Sequence, residues 1–183
     1  INNWKDEGKR PSQILHDDNP ITMGWRNIYQ AYQDQCQRNG VVDFAELLLR
    51  AYELWQQKPD LLAHYRGRIK HLLVDEFQDT NSVQYAWLKL LAGQEGQLFV
   101  VGDDDQSIYG WRGARVENLK DFVNDFKPST IRLEQNYRST GNILAAANAV
   151  IANNPSRLGK KLWTEDSDGS LLQAVSYTHL RAH

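Results

Sequence analysis

Asp75 and Glu76 stand side by side where the apolar run Leu72-Leu73-Val74 stops. A short apolar run closed by two carboxylates is the pattern of a buried parallel strand whose carboxyl end opens onto a ligand site. In an enzyme that hydrolyses a nucleotide, the first acid can hold Mg²⁺ and the second can orient the attacking water. The dipeptide alone decides little, because Asp-Glu also closes short strands by chance. A second apolar run, residues 98–101, ends in Gly102-Asp103-Asp104-Asp105 and continues through Gln106 to Tyr109, Trp111 and Arg112. Gln106 offers an uncharged amide able to meet a phosphate oxygen or a water. Two aromatic rings one residue apart, with Arg112 beside them and Gly110 and Gly113 around them, suit single-stranded bases. The bases stack on the rings while the guanidinium meets backbone phosphate. The same two rings would equally serve as a buried hydrophobic pair. A third stretch, Leu133-Glu134-Gln135-Asn136-Tyr137-Arg138, puts a tyrosine and an arginine just after a β-rich run. Such an arginine can reach a γ-phosphate and such a tyrosine can stack on a purine. Standing alone, Arg138 would more often be a surface ion-pairing residue.

These residues need elements to hold them. From about Thr22, the apolar residues Trp25, Ile28, Tyr29, Tyr32 and Cys36 recur at helical spacing as far as Asn39-Gly40. Asp43, with Glu46 three residues on, predicts the start of a second helix whose apolar face is Phe44, Leu47, Leu48, Ala51, Leu54 and Trp55. Pro59 ends it, and a third short helix follows through Tyr65. The aromatic stripes of this helical first third read as core. Beyond Arg68 the pattern changes to strand 69–74, a helix from Asn81 or Ser82 to Ala92, strand 98–101, a helix through Val116, Leu119, Phe122 and Phe126, a β-rich run at 130–133, and a helix through Ile143, Leu144, Ala147, Val150 and Ile151. Alternation of strands and helices argues a parallel α/β architecture with a helical subdomain ahead of it. Parallel strands would bring both acidic loops to one sheet edge.

Composition bounds the function. A chain of 183 residues with 41% hydrophobic and 24% charged residues is ordinary for a globular protein and long enough to bury a core. A net charge of −2 gives no global attraction for nucleic acid, so any contact with it must be local. Cys36 is the only cysteine, which excludes a disulfide framework within one chain or a cysteine-rich metal site. No apolar run reaches bilayer length and no secretory signal is visible, so a cytoplasmic location is expected. The chain starts at Ile1 and its one methionine is Met23, so the sequence reads as a piece of a longer protein.

Order and spacing then single out one family. Leu-Val-Asp-Glu-Phe-Gln-Asp-Thr at 73–80, Gly-Asp-x-x-Gln-Ser-Ile-Tyr-Gly-Trp-Arg-Gly-Ala at 102–114 and Glu-Gln-Asn-Tyr-Arg-Ser at 134–139 resemble helicase motifs II, III and IV of the UvrD/Rep/PcrA family of superfamily 1. The resemblance runs from about Trp4 to Thr164 and includes Val42-Asp43-Phe44-Ala45-Glu46-Leu47-Leu48. It implies a partial RecA-like P-loop NTPase sheet with flanking helices, preceded by an all-α subdomain. Residues 1–66 would be part of a helical insertion, 67–133 the second half of the first motor domain, and 134–170 the start of the second. Residues 171–183 fit nothing in the family and read as a non-native tail.

The resemblance also implies roles. Asp75 would coordinate Mg²⁺, and Glu76 would activate the hydrolytic water. Gln106 would sense the γ-phosphate and couple it to the DNA strand. Tyr109 and Trp111 would stack on bases, with Arg112 anchoring that segment. Tyr137 would pack on adenine, and Arg138 would stabilise the transferring phosphoryl group. Gln78 and Asp79 would support the site in roles the resemblance leaves open. The implied cofactors are ATP and Mg²⁺. The implied partners are single-stranded DNA and duplex junctions, with repair proteins or self-association in the parent protein. No Gly-x-x-x-x-Gly-Lys-[Ser/Thr] loop occurs in the chain, so these residues have no cradle for the β- and γ-phosphates. A different family member, such as a helicase–nuclease subunit, or a module that binds single strands without turning over ATP, would share several of these features.

Overall fold

Capping chemistry sets the helix ends. After α1 (Asn2–Asp6) and a 3₁₀ turn at Pro11–Gln13, the Ile21 N–H donates to Asn19 Oδ1 (3.0 Å) and Pro20 opens α2 (Pro20–Asn39). Gly40 closes α2 in the left-handed conformation, φ 64°. Asp43 caps α3 (Phe44–Gln57) by accepting the Glu46 N–H at 2.7 Å, and α4 (Pro59–Arg68) begins on Pro59. The helical first third expected from periodicity is present. The computed structural model describes residues 1–14, 19–93, 96–155 and 157–174, so most of the tail expected to be non-native (175–183) lies outside the described residues. The chain divides into two units, Ile1–Lys127 and Pro128–His183.

In the first unit β1 (His71–Val74) and β2 (Gln97–Val100) pair in parallel, with Val74 opposite Val100. The crossover between them carries α5 (Ser82–Ala92), and α6 (Glu117–Phe126) follows β2. α5 starts in a reciprocal capping box: the Gln84 N–H donates to Asn81 Oδ1 (2.9 Å) and the Asn81 N–H to Gln84 Oε1 (2.8 Å). One sheet face is covered. Phe77, Tyr85, Leu88 and Phe122 pack with Val74, Leu98 and Val100, while Trp55, Leu62 and Leu91 pack with Leu72. Trp87 belongs to both clusters, and its ring stacks on Trp55 at 4.6 Å. Full burial of a side chain such as Phe77 contributes roughly 1.5–3 kcal/mol.

Two expectations fail here. The strands are not buried on both sides: Leu73 is 78% exposed and Phe99 62%, because among the described residues helices cover only the opposite face. The apolar stripes of α2 and α3 are core only in part, Trp55 being the member of the α3 stripe that joins the buried cluster. Tyr29 is buried, yet Trp25, Ile28, Leu47 and Leu54 are exposed and Phe44 is 93% exposed.

Charge explains the orientation of α3. Its Glu46 is buried, and instead of closing a capping box it meets Lys5 Nζ at 2.9 Å, Arg10 Nη1 at 2.8 Å and Arg50 Nε at 2.7 Å. Arg10 also grips Glu53 through Nε (2.6 Å) and Nη2 (2.5 Å). Lys5, itself buried, reaches Asp43 at 2.8 Å, and Tyr32 donates to the same carboxylate at 2.8 Å. A buried charge is tolerated only with its partners in place, so α3 turns Glu46 inward together with Leu49 and Trp55 and leaves Phe44, Leu47 and Leu54 facing outward.

In the second unit, Thr140 precedes α7 (Gly141–Ile151). The β-rich run at 130–133 forms no strand among the described residues, and Ile131 and Leu133 are both exposed. Apolar content there found no partner backbone. Pairing occurs one step later, at a single parallel bridge between Gln135 and Trp163. The Asn148 side chain then pins Leu162, accepting its N–H (3.2 Å) and donating to its carbonyl (2.8 Å). Among the described residues no helix is long and apolar enough to cross a membrane.

Burial pushes the Glu46 carboxyl up, but hydrogen bonds from Arg50, Lys5 and Arg10 win and hold it at about 2 against an ordinary 4.5. A carboxylate depressed on folding stabilises the fold fully above its unfolded value and progressively less as pH falls towards the folded one. The urea midpoint of the chain is therefore expected to drop between pH 4.5 and 2. Glu46→Gln should flatten that dependence and, by leaving Lys5 and Arg10 short of a counter-charge, cost about 3–5 kcal/mol at pH 7. An unchanged pH profile in Glu46→Gln would assign the acid sensitivity to other groups.

Candidate nucleotide and nucleic-acid site

The two acidic loops leave the sheet at neighbouring points because their strands are in register. Beyond the last strand pair, the Val101 N–H donates to the Val74 carbonyl (2.8 Å) and the Phe77 N–H to the Val101 carbonyl (3.0 Å). Asp75 and Glu76 sit between these bonds, both exposed. The Asp75 Oδ1 atom accepts the Glu76 N–H at 2.9 Å. Glu76 adopts a left-handed backbone, φ 50° and ψ 41°, from which the chain turns into the 3₁₀ segment Phe77–Asp79.

Gln78 is the centre of this arrangement. Its side chain is 1% exposed and uses both ends of the amide. Nε2 donates to Glu76 Oε2 at 2.7 Å, and Oε1 accepts the Asp103 N–H at 2.9 Å. Its backbone carbonyl accepts from Ser107 Oγ at 3.2 Å. Gly102 lies so close that a Cβ there would stand 3.0 Å from Gln78 Oε1. Sequence reading left Gln78 without a definite role. Its position two residues after Glu76 was visible, but the partner loop was not.

The second loop is ordered by its own acids. Asp103 accepts the Asp105 N–H at 3.1 Å and Gln106 Nε2 at 2.6 Å, so the Gln106 amide is held within the loop. Asp103, Asp104 and Asp105 bring carboxylate oxygens within 4.8 Å of one another. Further on, the Tyr109 and Trp111 rings lie 6.4 Å apart at 57°, with the Arg112 guanidinium 5.4 Å from the first ring centre and 5.6 Å from the second. Trp111 is 76% exposed and Tyr109 is also exposed. They are not a buried hydrophobic pair. Rings braced by a guanidinium and open to solvent offer flat apolar area beside positive charge.

A polar scaffold beneath ties the start of α5 to the end of the aromatic loop. Asn118, buried, donates through Nδ2 to the carbonyls of Thr80 (2.9 Å) and Asn81 (3.1 Å), and the Arg115 N–H donates to the Thr80 carbonyl (2.9 Å). Asn81 Nδ2 donates to Asp6 Oδ1 at 2.8 Å, and burial pushes the Asp6 carboxyl up against that hydrogen bond. One atom is left over. Asp79 Oδ1 is buried without a hydrogen-bond partner among the described residues.

Tyr137 and Arg138 belong to the second unit. Tyr137 is exposed and donates to Gln135 Oε1 at 2.8 Å. The Arg138 backbone N–H is held by Asn136 Oδ1 (2.9 Å), which also accepts the Ser139 N–H (2.7 Å), and its side chain is exposed. Asn136 thereby fixes the turn that presents both residues.

Comparison with known proteins agrees with these motifs. The family model described as UvrD/REP helicase N-terminal domain matches residues 1–127. The chain is 65% identical over 170 residues to DNA helicase II of Escherichia coli K12, covering 92% of this chain and 24% of that protein. It is 62% identical over 169 residues to DNA helicase II of Haemophilus influenzae, covering 92% of this chain and 23% of that protein. It is 47% identical over 171 residues to ATP-dependent DNA helicase PcrA of Leuconostoc citreum, covering 92% of this chain and 23% of that protein. The chain thus spans about a quarter of the length of these curated relatives. With more than half of its residues matched by the family model, the chain belongs to the UvrD/REP helicase family.

Proposed function

We propose that this chain is a segment of an ATP-dependent 3′–5′ DNA helicase that translocates on single-stranded DNA and unwinds duplex during DNA repair. The observation that carries the reading is the parallel strand pair that sends Asp75-Glu76 and the Gln106–Arg112 loop out at one edge. Relatives bearing the names DNA helicase II and ATP-dependent DNA helicase PcrA support it. On this reading the sheet is part of a RecA-like nucleotide fold, and residues 134–170, within the unit that starts at Pro128, begin a second motor domain.

The residues present suit magnesium-dependent phosphoryl transfer. Asp75 supplies a hard carboxylate just past a strand's carboxyl end and would hold Mg²⁺ there. The chemistry that Mg²⁺ would supply when held by Asp75 is neutralisation of phosphate charge. Glu76, held from behind by Gln78, orients the attacking water and takes its proton. Gln106 exchanges its bond to Asp103 for the γ-phosphate, so nucleotide state is felt by the loop carrying the aromatics. Tyr109 and Trp111 stack on bases, and Arg112 leaves the ring faces to meet phosphate. Tyr137 packs on adenine, and Arg138 stabilises charge on the transferring group. Repair proteins or a second copy of the parent would be its protein partners, in the cytoplasm.

With no phosphate-cradling loop in its sequence, this chain by itself is expected to release no phosphate from ATP and to unwind no duplex. DNA-stimulated phosphate release by the purified chain would overturn that expectation. In the full-length protein, Glu76→Gln should keep nucleotide affinity within a few-fold while turnover is lost, as read by fluorescent-nucleotide titration beside steady-state kinetics. Trp111→Ala should weaken oligo(dT) binding by about 1–3 kcal/mol and reduce the DNA-stimulated rate more than the basal rate. If both survive intact, the exposed rings are not the stacking platform.

A further inference from the structure

A buried amide that spends both ends on two different loops is an expensive arrangement to leave half-made. Losing either bond strands a polar group out of water. Gln78 is placed this way: one end holds the Glu76 carboxylate (2.7 Å) and the other the Asp103 N–H (2.9 Å), with Ser107 bound to its carbonyl (3.2 Å). Asp103 in turn holds the Gln106 side chain at 2.6 Å, and three residues later the same loop presents Tyr109. Only one side chain therefore separates the carboxylate of the first loop from the backbone of the second. A Cβ on Gly102 would stand 3.0 Å from the amide oxygen, tighter than side chains ordinarily approach, so glycine at this position leaves the Gln78 amide undisturbed. The bond from Nε2 falls on Glu76 Oε2 and so orients the carboxylate.

We propose that Gln78 is a positioning residue, a rigid tie that sets the Glu76 carboxylate and makes it move together with the Asp103–Trp111 loop. The inference rests on the ATPase role given to Glu76 above. Through this tie, a nucleotide that draws on Gln106 or Glu76 displaces the aromatic loop, and a strand bound at Tyr109 and Trp111 reorients Glu76. Coupling of this kind is reciprocal by thermodynamic necessity.

The test uses the full-length protein carrying this segment. Gln78→Met removes both amide bonds at similar volume, and Gly102→Ala crowds the amide oxygen while leaving every side chain in place. Steady-state kinetics with saturating oligo(dT) give kcat and KM for ATP. Fluorescence anisotropy gives oligo(dT) affinity with and without a non-hydrolysable ATP analogue. In Gln78→Met, kcat should fall roughly 10- to 100-fold, the size expected when a reacting group is misplaced by about 1 Å, with KM within about threefold. The analogue's effect on oligo(dT) affinity should vanish. Gly102→Ala should move both readings in the same direction by a smaller factor. A purely architectural role would lower melting temperature and leave kcat and the analogue effect at their normal values in the folded fraction, which overturns the proposal. Should Gln78→Met fail to fold, normal values in Gly102→Ala overturn it equally. Normal turnover in Glu76→Gln would remove the ATPase role of Glu76 and this inference with it. Lost turnover there, beside unaffected Gln78→Met and Gly102→Ala, sinks the tie alone.

Discussion

Everything at the site depends on two short strands running parallel and ending together. Four residue pairs, from His71–Gln97 to Val74–Val100, set the register, and two further backbone bonds extend it past the strand ends. Side chains alternate along a strand, so a slip of one residue in β2 would turn Leu98 and Val100 away from the helices that cover them, and a slip in β1 would do the same to Leu72 and Val74. It would also carry Asp75 and Glu76 away from Asp103 and Gln106. Register is therefore enforced by the apolar core, and the polar contacts of Gln78 take advantage of it. Core and chemistry are separated by one residue: Val74 packs inward, and Asp75 faces solvent.

The helical block obeys a different rule. Its inward faces are matched by charge as much as by apolar area, with Lys5 and Arg10 answering Asp43, Glu46 and Glu53. Such a network contributes little net stability compared with a well-packed apolar core, but it punishes any wrong docking, since a misplaced helix would bury unpaired charge. It fixes where α1 lies. From there Asp6 reaches Asn81 and crowds Gly113, which joins the helical block to both ends of the scaffold beneath the aromatic loop.

Much of this was legible in the residues. The helices announced themselves through Asn81, Asp43, Pro59 and Gly40, because capping and turn chemistry are local. The parallel pair was legible because two apolar runs separated by a helical pattern leave few alternatives. The failures share a cause. Periodicity marks an apolar face without saying what covers it, and the faces of Phe44, Trp25, Leu73 and Phe99 have no cover among the described residues. Periodicity also missed that α3 would bury Glu46, since that depends on Lys5 and Arg10 some 36 to 41 residues away. Gln78 was hidden for the same reason: its partner is Asp103, 25 residues on. The family resemblance gave roles to Asp75, Glu76 and Gln106 but placed Gln78 only in support of the site, without saying what its amide holds.

The left-handed backbone of Glu76 sets two demands against each other. A residue with a Cβ at φ 50° carries strain of order 1 kcal/mol that glycine would not. Glutamate persists at a position where the backbone alone favours the smallest side chain. Glycine at position 76 would relieve that strain, but it would also remove the carboxylate that the buried Gln78 amide holds, so the preference of the backbone and the need of the amide pull in opposite directions.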